Sequence, residues 1–528
     1  MSDKRTNDDT IAAPAPDGDR DRLSRWVLDP IERIGNRLPH PVLLFVILAV
    51  LTIIGSAVLA GTGLSVEDPE EAGEVVEVTN LLSGDGVSYL FESMVENFVN
   101  FPPLGVVLAT MIGIGLAERS GLITALLRGF VTSVPKGLIT AGLVFAGIMS
   151  SVASDAGYVV LPPLGAMLFA ALGRHPIAGL AAAFAGVSAG FSANLLLSAT
   201  DPLLGSLTVE AAATIDPAYA ETINFAMNYY FIIASSFVLT LTGWFVSAKI
   251  VEPRLGAYTG LGAPDDDEKF GKLDATERKG ILWAGISVVI TAALMSLLVL
   301  PEWAPMRGEG ENPIVDSPFM QALVPLIMVL FLVPGLVYGL VVKSITSDQD
   351  VADQLSDTMS TMGMFIVLAF TAGQFVAYFN ETNLGLILGV TGADFLERIN
   401  LTGIPLVLAF ILVVGIINLF VGSASAKWAI LAPVFVPLMM QLGYSPELTT
   451  MAYRISDSTT NVITPLMPYF AILIAFARRY DKKAGIGSLV AAMLPYTVVF
   501  SIVWTIMLVI WMLAGWDLGP ASPLLYEG

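Results

Sequence analysis

Apolar runs of about 20 residues recur along the whole chain, and that is the length a helix needs to cross a bilayer. Read one by one, they predict spans near 41–61, 90–117, 176–205, 227–248, 280–300, 318–342, 360–379, 446–476 and 487–513. Two more apolar stretches, 137–173 and 403–441, are interrupted halfway by small polar residues. The interruptions are Ser150-Ser151-Val152-Ala153-Ser154-Asp155-Ala156-Gly157 and Gly422-Ser423-Ala424-Ser425-Ala426-Lys427. Two of the spans are themselves broken by polar runs, at Ser192-Ala193-Asn194 with Ser198-Ala199-Thr200-Asp201-Pro202, and at 454–465.

These interruptions recur at a fixed distance. Tyr158, Pro163, Gly173 and Pro176 reappear 270 residues later as Trp428, Pro433, Gly443 and Pro446. A membrane chain in two halves, with broken helices at corresponding places, carries the signature of a secondary transporter.

Charge supplies the direction of each crossing, because Lys and Arg accumulate on the cytoplasmic side. Arg20, Arg22, Arg25, Arg33 and Arg37 precede the first span and put the N-terminus inside. The loop 65–85 holds Glu67, Asp68, Glu70, Glu71, Glu74, Glu77 and Asp85 with no Lys or Arg, and belongs outside. Lys136 and Arg174 flank 137–173 on one side, so that stretch reads as a re-entrant hairpin with its tip inside the membrane. Two short spans joined by an external tip would have the same hydropathy. The stretch 403–441 enters from the opposite face, and the C-terminus ends outside. The expected fold is an all-α polytopic membrane protein, an inverted-repeat transporter with nine transmembrane helices and two opposed re-entrant hairpins. Its expected parts are a cytoplasmic tail 1–38, a first repeat 39–248, a cytoplasmic linker 249–279 and a second repeat 280–528.

Composition narrows the chemistry. The chain is 55% hydrophobic and 14% charged, with a net charge of −20. An acidic solvent face argues against nucleic acid as a partner. With no cysteine, thiolate catalysis and Cys-based metal sites are excluded. The two histidines, His40 and His175, lie near predicted membrane boundaries, and no HExxH or Walker A pattern occurs. An ion gradient, carried by a proton or Na⁺, is therefore the expected energy source, with no other cofactor.

The densest polar run in an apolar context is Arg454-Ile455-Ser456-Asp457-Ser458-Thr459-Thr460-Asn461-Val462-Ile463-Thr464-Pro465. Ionisable residues at membrane depth are costly and so are candidates for function. Arg454 and Asp457, three apart, share a helical face and can form a structural ion pair. Pro465 breaks the helix, and broken ends expose N–H groups suited to anions and carbonyls suited to cations. Ser456, Thr460 and Asn461 offer oxygen ligands, as do Asn194 and the tip residues Ser154 and Asp155; Na⁺ at Asn194 and Asn461 is one expectation. Asp201 either carries a proton or binds a cation, or it caps a helix at the outer interface. Trp428 either stacks on an aromatic solute or sits in an interfacial belt.

Ser425-Ala426-Lys427-Trp428, Pro446, Arg454, Asp457 and Pro465, with Asp201 in the first half, resemble the AbgT family of transporters, and the likeness covers nearly the whole chain. The resemblance implies a bowl-shaped homodimer in the inner membrane, with nine spans and two opposed hairpins per subunit. It implies transport of p-aminobenzoyl-glutamate, with some relatives exporting sulfonamide antimetabolites by the proton gradient, and a bound sodium ion. It makes Asp201, Ser425, Trp428, Pro446, Arg454, Asp457 and Pro465 the functional set, with Arg454 for a carboxylate and Trp428 for the ring. A sodium-coupled dicarboxylate carrier is the alternative, but its tips would carry Ser-Asn-Thr, which neither tip has. A passive channel fits two broken helices poorly. An intramembrane enzyme would need a His or Cys set that the sequence lacks.

Overall fold

The computed structural model describes residues 41–528 apart from 68–74, 154–155, 257, 259–272, 309–312, 315–316, 422, 465–468, 483, 485 and 527–528. The expected cytoplasmic tail, Ser154, Asp155 and Pro465 therefore lie outside the described residues.

The chain is helical almost throughout. The first half runs α1 (Pro41–Ala60), a short antiparallel pair β1 (Ser65–Glu67) and β2 (Val75–Glu77), α2 (Pro102–Arg119), α3 (Leu122–Ser133), α4 (Ile139–Ser150), α5 (Ala156–Ala171), α6 (Pro176–Ala189), α7 (Thr200–Ala212) and α8 (Tyr229–Val246). The second half runs α9 (Ala275–Leu297), α10 (Leu323–Val342), α11 (Asp348–Thr361), α12 (Gly363–Glu381), α13 (Leu384–Arg398), α14 (Gly403–Asn418), α15 (Ala424–Gln441), α16 (Pro446–Asn461), α17 (Phe470–Tyr480) and α18 (Ile486–Ala514).

Among the described residues, 8 helices are long and apolar enough to cross a membrane, or 9 if the bent pair Leu122–Ser133 and Lys136–Ser150 is one span. The nine expected spans include two that are interrupted, 176–205 and 446–476, and these are where the tally departs from nine. The stretches 176–205 and 446–476 each split into two helices, too short to qualify, because their polar interruptions end the first helix at Ala189 and Asn461. Conversely, Ala424–Gln441, half of an expected hairpin, is itself long and apolar enough. The apolar stretches 137–173 and 403–441 do form helix–break–helix units, α4–α5 and α14–α15. Helices α3, α11 and α13 fall outside a reading by long apolar runs: α3 is short, α11 is polar, and α13 carries Asp394, Glu397 and Arg398.

The four aligned positions play the same part in each half. Tyr158 and Trp428 lie near the starts of α5 and α15, and Pro163 and Pro433 lie inside them. Gly173 and Gly443 both adopt positive φ, 69° and 77°, the left-handed turn that glycine makes without a Cβ clash. Pro176 and Pro446 are each the first residue of the next helix, where a missing N–H costs nothing.

Helix α6 is buried on every side, which its small residues allow. A Cβ at Gly179 would lie 2.1 Å from the Gly165 carbonyl oxygen, and one at Gly165 would lie 2.5 Å from that of Gly179. Close backbone approach through small residues is how helices associate without a hydrophobic drive between them. Gly179→Ala is expected to destabilise the purified protein by about 1–3 kcal/mol through overpacking. Gly285→Ala, where nothing lies within 4 Å, is the control and should not lower the thermal midpoint.

Candidate functional site

Helix α16 explains most of the site. It is polar by sequence, yet every residue except Thr460 is buried. Burying a polar group is tolerated only if it is hydrogen-bonded. Thr449 and Thr450 donate to the carbonyls four residues back. Ser456 donates to the Ile411 carbonyl. Ser458 Oγ accepts from the backbone N–H of Ser192 at 3.1 Å, and Thr459 Oγ1 accepts from Ser501 Oγ at 2.9 Å. The helix is thus held by α14, α18 and the α6–α7 break of the other half.

Its two charges do not pair with each other. Arg454 Nη2 lies 2.6 Å from Asp201 Oδ1 at the start of α7, 253 residues away in sequence. Asp457 Oδ1 lies 2.5 Å from Lys427 Nζ on α15. This corrects the Arg454–Asp457 ion pair expected from helical spacing. The two share a face, but each has an opposite charge nearer on another element. All four side chains are at most 3% exposed, so neither pair is screened by water.

Each pair is embedded in hydrogen bonds. Asp201 Oδ2 accepts from the Ser198 amide at 2.6 Å and from Ser198 Oγ at 2.9 Å. Asp201 is buried, not at an interface: its carboxylate accepts from Ser198 just ahead of α7 and pairs with the Arg454 guanidinium. Arg454 Nε is buried and donates to nothing among the described residues. The Lys427 ammonium also donates to Asn418 Oδ1. Asn418 Nδ2 in turn donates to the Asp457 carbonyl at 2.6 Å, to Thr460 Oγ1 at 2.6 Å and to Asn461 Oδ1 at 2.9 Å. Asn461 Nδ2 lies 3.4 Å from Asp457 Oδ2.

Trp428 is fully buried, which rules out the interfacial belt. Its ring lies 4.5 Å from that of Tyr453, centroid to centroid, and its indole N–H donates to Thr208 Oγ1 at 3.0 Å. Thr208 Oγ1 lies 2.8 Å from Thr450 Oγ1, and Tyr453 donates to the Ala424 carbonyl at 2.5 Å. The aromatic pair, the Lys427–Asp457 pair and the α14–α15 break form one cluster, with Tyr453 Oη 3.5 Å from Asp457 Oδ1, while the Arg454–Asp201 pair is tied through Ser198 to the α6–α7 break.

Not every expected residue joins it. Ser425 is half-buried, 3.4 Å from Ser423 Oγ, and lines an apolar crevice with Phe45 and Leu368. Pro446 acts through the backbone, as the first residue of α16. Asn194 Nδ2 donates to Ser151 Oγ at 2.9 Å, which ties the first break to the first tip. Asn194 Oδ1 already accepts from the Leu195 amide at 3.0 Å, and Asn461 Oδ1 accepts from Asn418. Each of these oxygens keeps a second lone pair with which it could ligate Na⁺. The oxygens that do converge on a cation, Asn418 Oδ1 and Asp457 Oδ1, hold the Lys427 ammonium. Among the described residues no group of three or more His, Cys, Asp or Glu is placed to hold a metal.

Lys427, Asn418, Thr208 and Tyr453 were given no role by the sequence. Lys427 and Asn418 carry a signal, since each is a lone strongly polar residue within an apolar segment. Thr208 and Tyr453 carry none, because their side chains are ordinary for a membrane helix.

Comparisons with known proteins give the family. A family model described as "AbgT putative transporter family" matches residues 26–526. The p-aminobenzoyl-glutamate transport protein of Escherichia coli (strain K12) is 39% identical over 499 residues, which are 94% of this chain and 96% of that protein. The crystal structure of the Alcanivorax borkumensis YdaH transporter, described as having an unusual topology, superposes with a TM-score of 0.85 at 42% identity, covering 91% of this chain and 100% of that one. Neisseria gonorrhoeae MtrF, described as illuminating a class of antimetabolite efflux pumps, gives a TM-score of 0.88 at 44% identity, covering 95% of this chain and 99% of that one. Broken helices, buried charges joined across the two halves, and a family match over nearly the full length lead to one assignment: the chain is a multi-pass membrane transporter and belongs to the AbgT family.

Proposed function

We propose that this transporter carries p-aminobenzoyl-glutamate or related folate-pathway aromatic carboxylates, exports sulfonamide antimetabolites as well, and is driven by a proton or sodium gradient. The observation that carries the reading is Arg454. Its guanidinium is buried and shared with Asp201, and its Nε has no partner among the described residues. A solute carboxylate is the group that completes it, since guanidinium and carboxylate match two donors to two acceptors. Trp428 and Tyr453, 4.5 Å apart and fully buried, supply aromatic faces for the ring of such a solute once the site opens.

Coupling follows from the second pair. Asp457 is held by Lys427, and a proton or Na⁺ that competes with the ammonium for Asp457 would change how α15 is held against α16. A ligand shifts a conformational equilibrium only by its differential affinity for the two states, and this pair offers such a difference. In this reading the protein is a homodimer in the inner membrane. Its N-terminus is cytoplasmic, its C-terminus is outside, its halves divide at 249–279, and the two hairpins enter from opposite faces.

The test is uptake of labelled p-aminobenzoyl-glutamate into proteoliposomes, with pH and Na⁺ gradients imposed separately. Accumulation above equilibrium is expected with one gradient and not the other. Equal, purely passive equilibration under both would overturn coupled transport.

A further inference from the structure

The turns that lead into the two buried broken helices are built alike. The Arg174 amide donates to the Phe169 carbonyl at 2.8 Å, and 270 residues later the Tyr444 amide donates to the Met439 carbonyl at 2.9 Å. Each turn is then gripped by a segment that lies 78 residues further along the chain. Arg174 Nε and Nη2 donate to Glu252 Oε1 and Oε2 at 2.8 and 2.6 Å. Ser445 Oγ donates to the Pro523 carbonyl at 2.7 Å, and the Ser445 amide donates to the Leu524 carbonyl at 3.1 Å. The Tyr526 amide completes the second grip on the Gly443 carbonyl at 3.1 Å. Glu252 comes just after α8, and 523–526 come just after α18.

The second gripping segment is itself seated on the first half. The Leu518 carbonyl accepts from the Phe231 amide at 3.1 Å, and the Pro520 carbonyl accepts from Asn224 Nδ2 at 2.7 Å. Tyr526 Oη donates to Asp216 Oδ2 at 2.9 Å. The C-terminal strap 515–526 therefore ties the start of α16 to the other half of the molecule.

We infer that Arg174–Glu252 and the C-terminal strap are two latches, one on each face, which hold the outer ends of α6 and α16 and open in alternation. This rests on the opposed hairpins and the coupled transport proposed above. Helix α6 leads into the break that carries Asp201, and α16 carries Arg454, so freeing either turn loosens one side of their contact. In an inverted repeat the same element faces opposite sides in the two halves, so equal grips release toward opposite faces. With both closed, the charged side chains of the site are at most 3% exposed. The two helices also touch, through the Ser192 amide on Ser458 Oγ at 3.1 Å, so a shift of one is felt by the other. The latches differ in chemistry. Arg174 and Glu252 are charged and about a quarter exposed, so salt weakens their grip, whereas the strap holds by uncharged hydrogen bonds.

The chain has no cysteine, so one disulfide can be introduced without competitors. Tyr444 and Leu525 oppose each other in an isolated antiparallel bridge, and the bonds on either side make them the pair that exchanges none. Such pairs have Cα atoms about 4.5 Å apart, inside the span of about 4.4–6.8 Å that a disulfide bridges. Tyr444→Cys/Leu525→Cys, oxidised in proteoliposomes, is expected to lower uptake of labelled p-aminobenzoyl-glutamate at least tenfold, and reduction to restore it. The reduced protein reports on transport itself, which separates a failed latch from a failed transport reading. Hydrogen exchange needs no solute and decides if the reduced protein carries none. Glu252→Gln is expected to speed amide exchange over 173–189 at least threefold and to slow it over 443–461 by a similar factor, since opening one face favours closure of the other. Arg174→Gln serves if that variant does not fold. Undiminished uptake by the oxidised protein, or exchange that rises at both turns or only at the altered one, would overturn the inference.

Discussion

The Asp457→Asn variant is expected to lose gradient-driven transport and to be less stable as well. The substitution leaves the Lys427 ammonium fully buried with no counter-charge, held only by Asn418. Breaking a buried pair by removing one partner costs about 3–5 kcal/mol. Lys427→Met is expected to do the same from the other side, by stranding the carboxylate. The informative protein is the double variant Lys427→Met/Asp457→Asn, because replacing both members of a buried pair is often close to neutral. Its thermal midpoint should return most of the way to the parent value while accumulation in proteoliposomes stays absent. A double variant that is stable and also transports at the parental rate would reduce the pair to a structural link between α15 and α16.

The second large effect concerns selectivity. Arg454→Ala is expected to weaken binding of carboxylate-bearing solutes far more than binding of neutral sulfonamides. A hydrogen bond to a charged group is worth about 1.5–3 kcal/mol, which corresponds to roughly a 10- to 150-fold change in affinity. The substitution strands Asp201, not Asp457, so part of the loss will be general. The ratio of the two affinities, from calorimetry or tryptophan fluorescence on folded protein, removes that part. Asp201→Asn gives the reciprocal result: it frees the guanidinium from its internal carboxylate, so the solute carboxylate should bind more tightly. An equal loss for both ligand classes in Arg454→Ala, with no gain in Asp201→Asn, would leave Arg454 as nothing more than the partner of Asp201.

The sequence was most readable where length alone decides. Pro41–Ala60 and Tyr229–Val246 fall where the apolar runs place them, since a span must be apolar over its whole length. The breaks were readable too, because Gly173, Pro176, Gly443 and Pro446 each have a fixed backbone role. Pairing was not. Helical spacing puts Arg454 beside Asp457, but spacing describes neighbours on one element and is silent about charges brought in by others. Asp201 and Lys427 arrive from α7 and α15, and only the packed structure shows them closer.

The distance along the chain between Asp201 and Arg454 also sets a schedule. At ribosomal speeds of about 5–20 residues per second, the 253 intervening residues take roughly 10–50 s to make. For that interval the carboxylate at 201 exists and its guanidinium does not. A lone charge at the bilayer centre costs about 2.5–3.5 kcal/mol even by the lower scales, so α7 has every reason to wait at the membrane surface or in the insertion channel. Lys427 and Asp457 are separated by only 30 positions and meet almost as soon as they are made. Arg454 and Asp457 leave the ribosome three residues apart, so both pairs become possible at nearly the same moment, and the first half is expected to wait for that one short segment of α16.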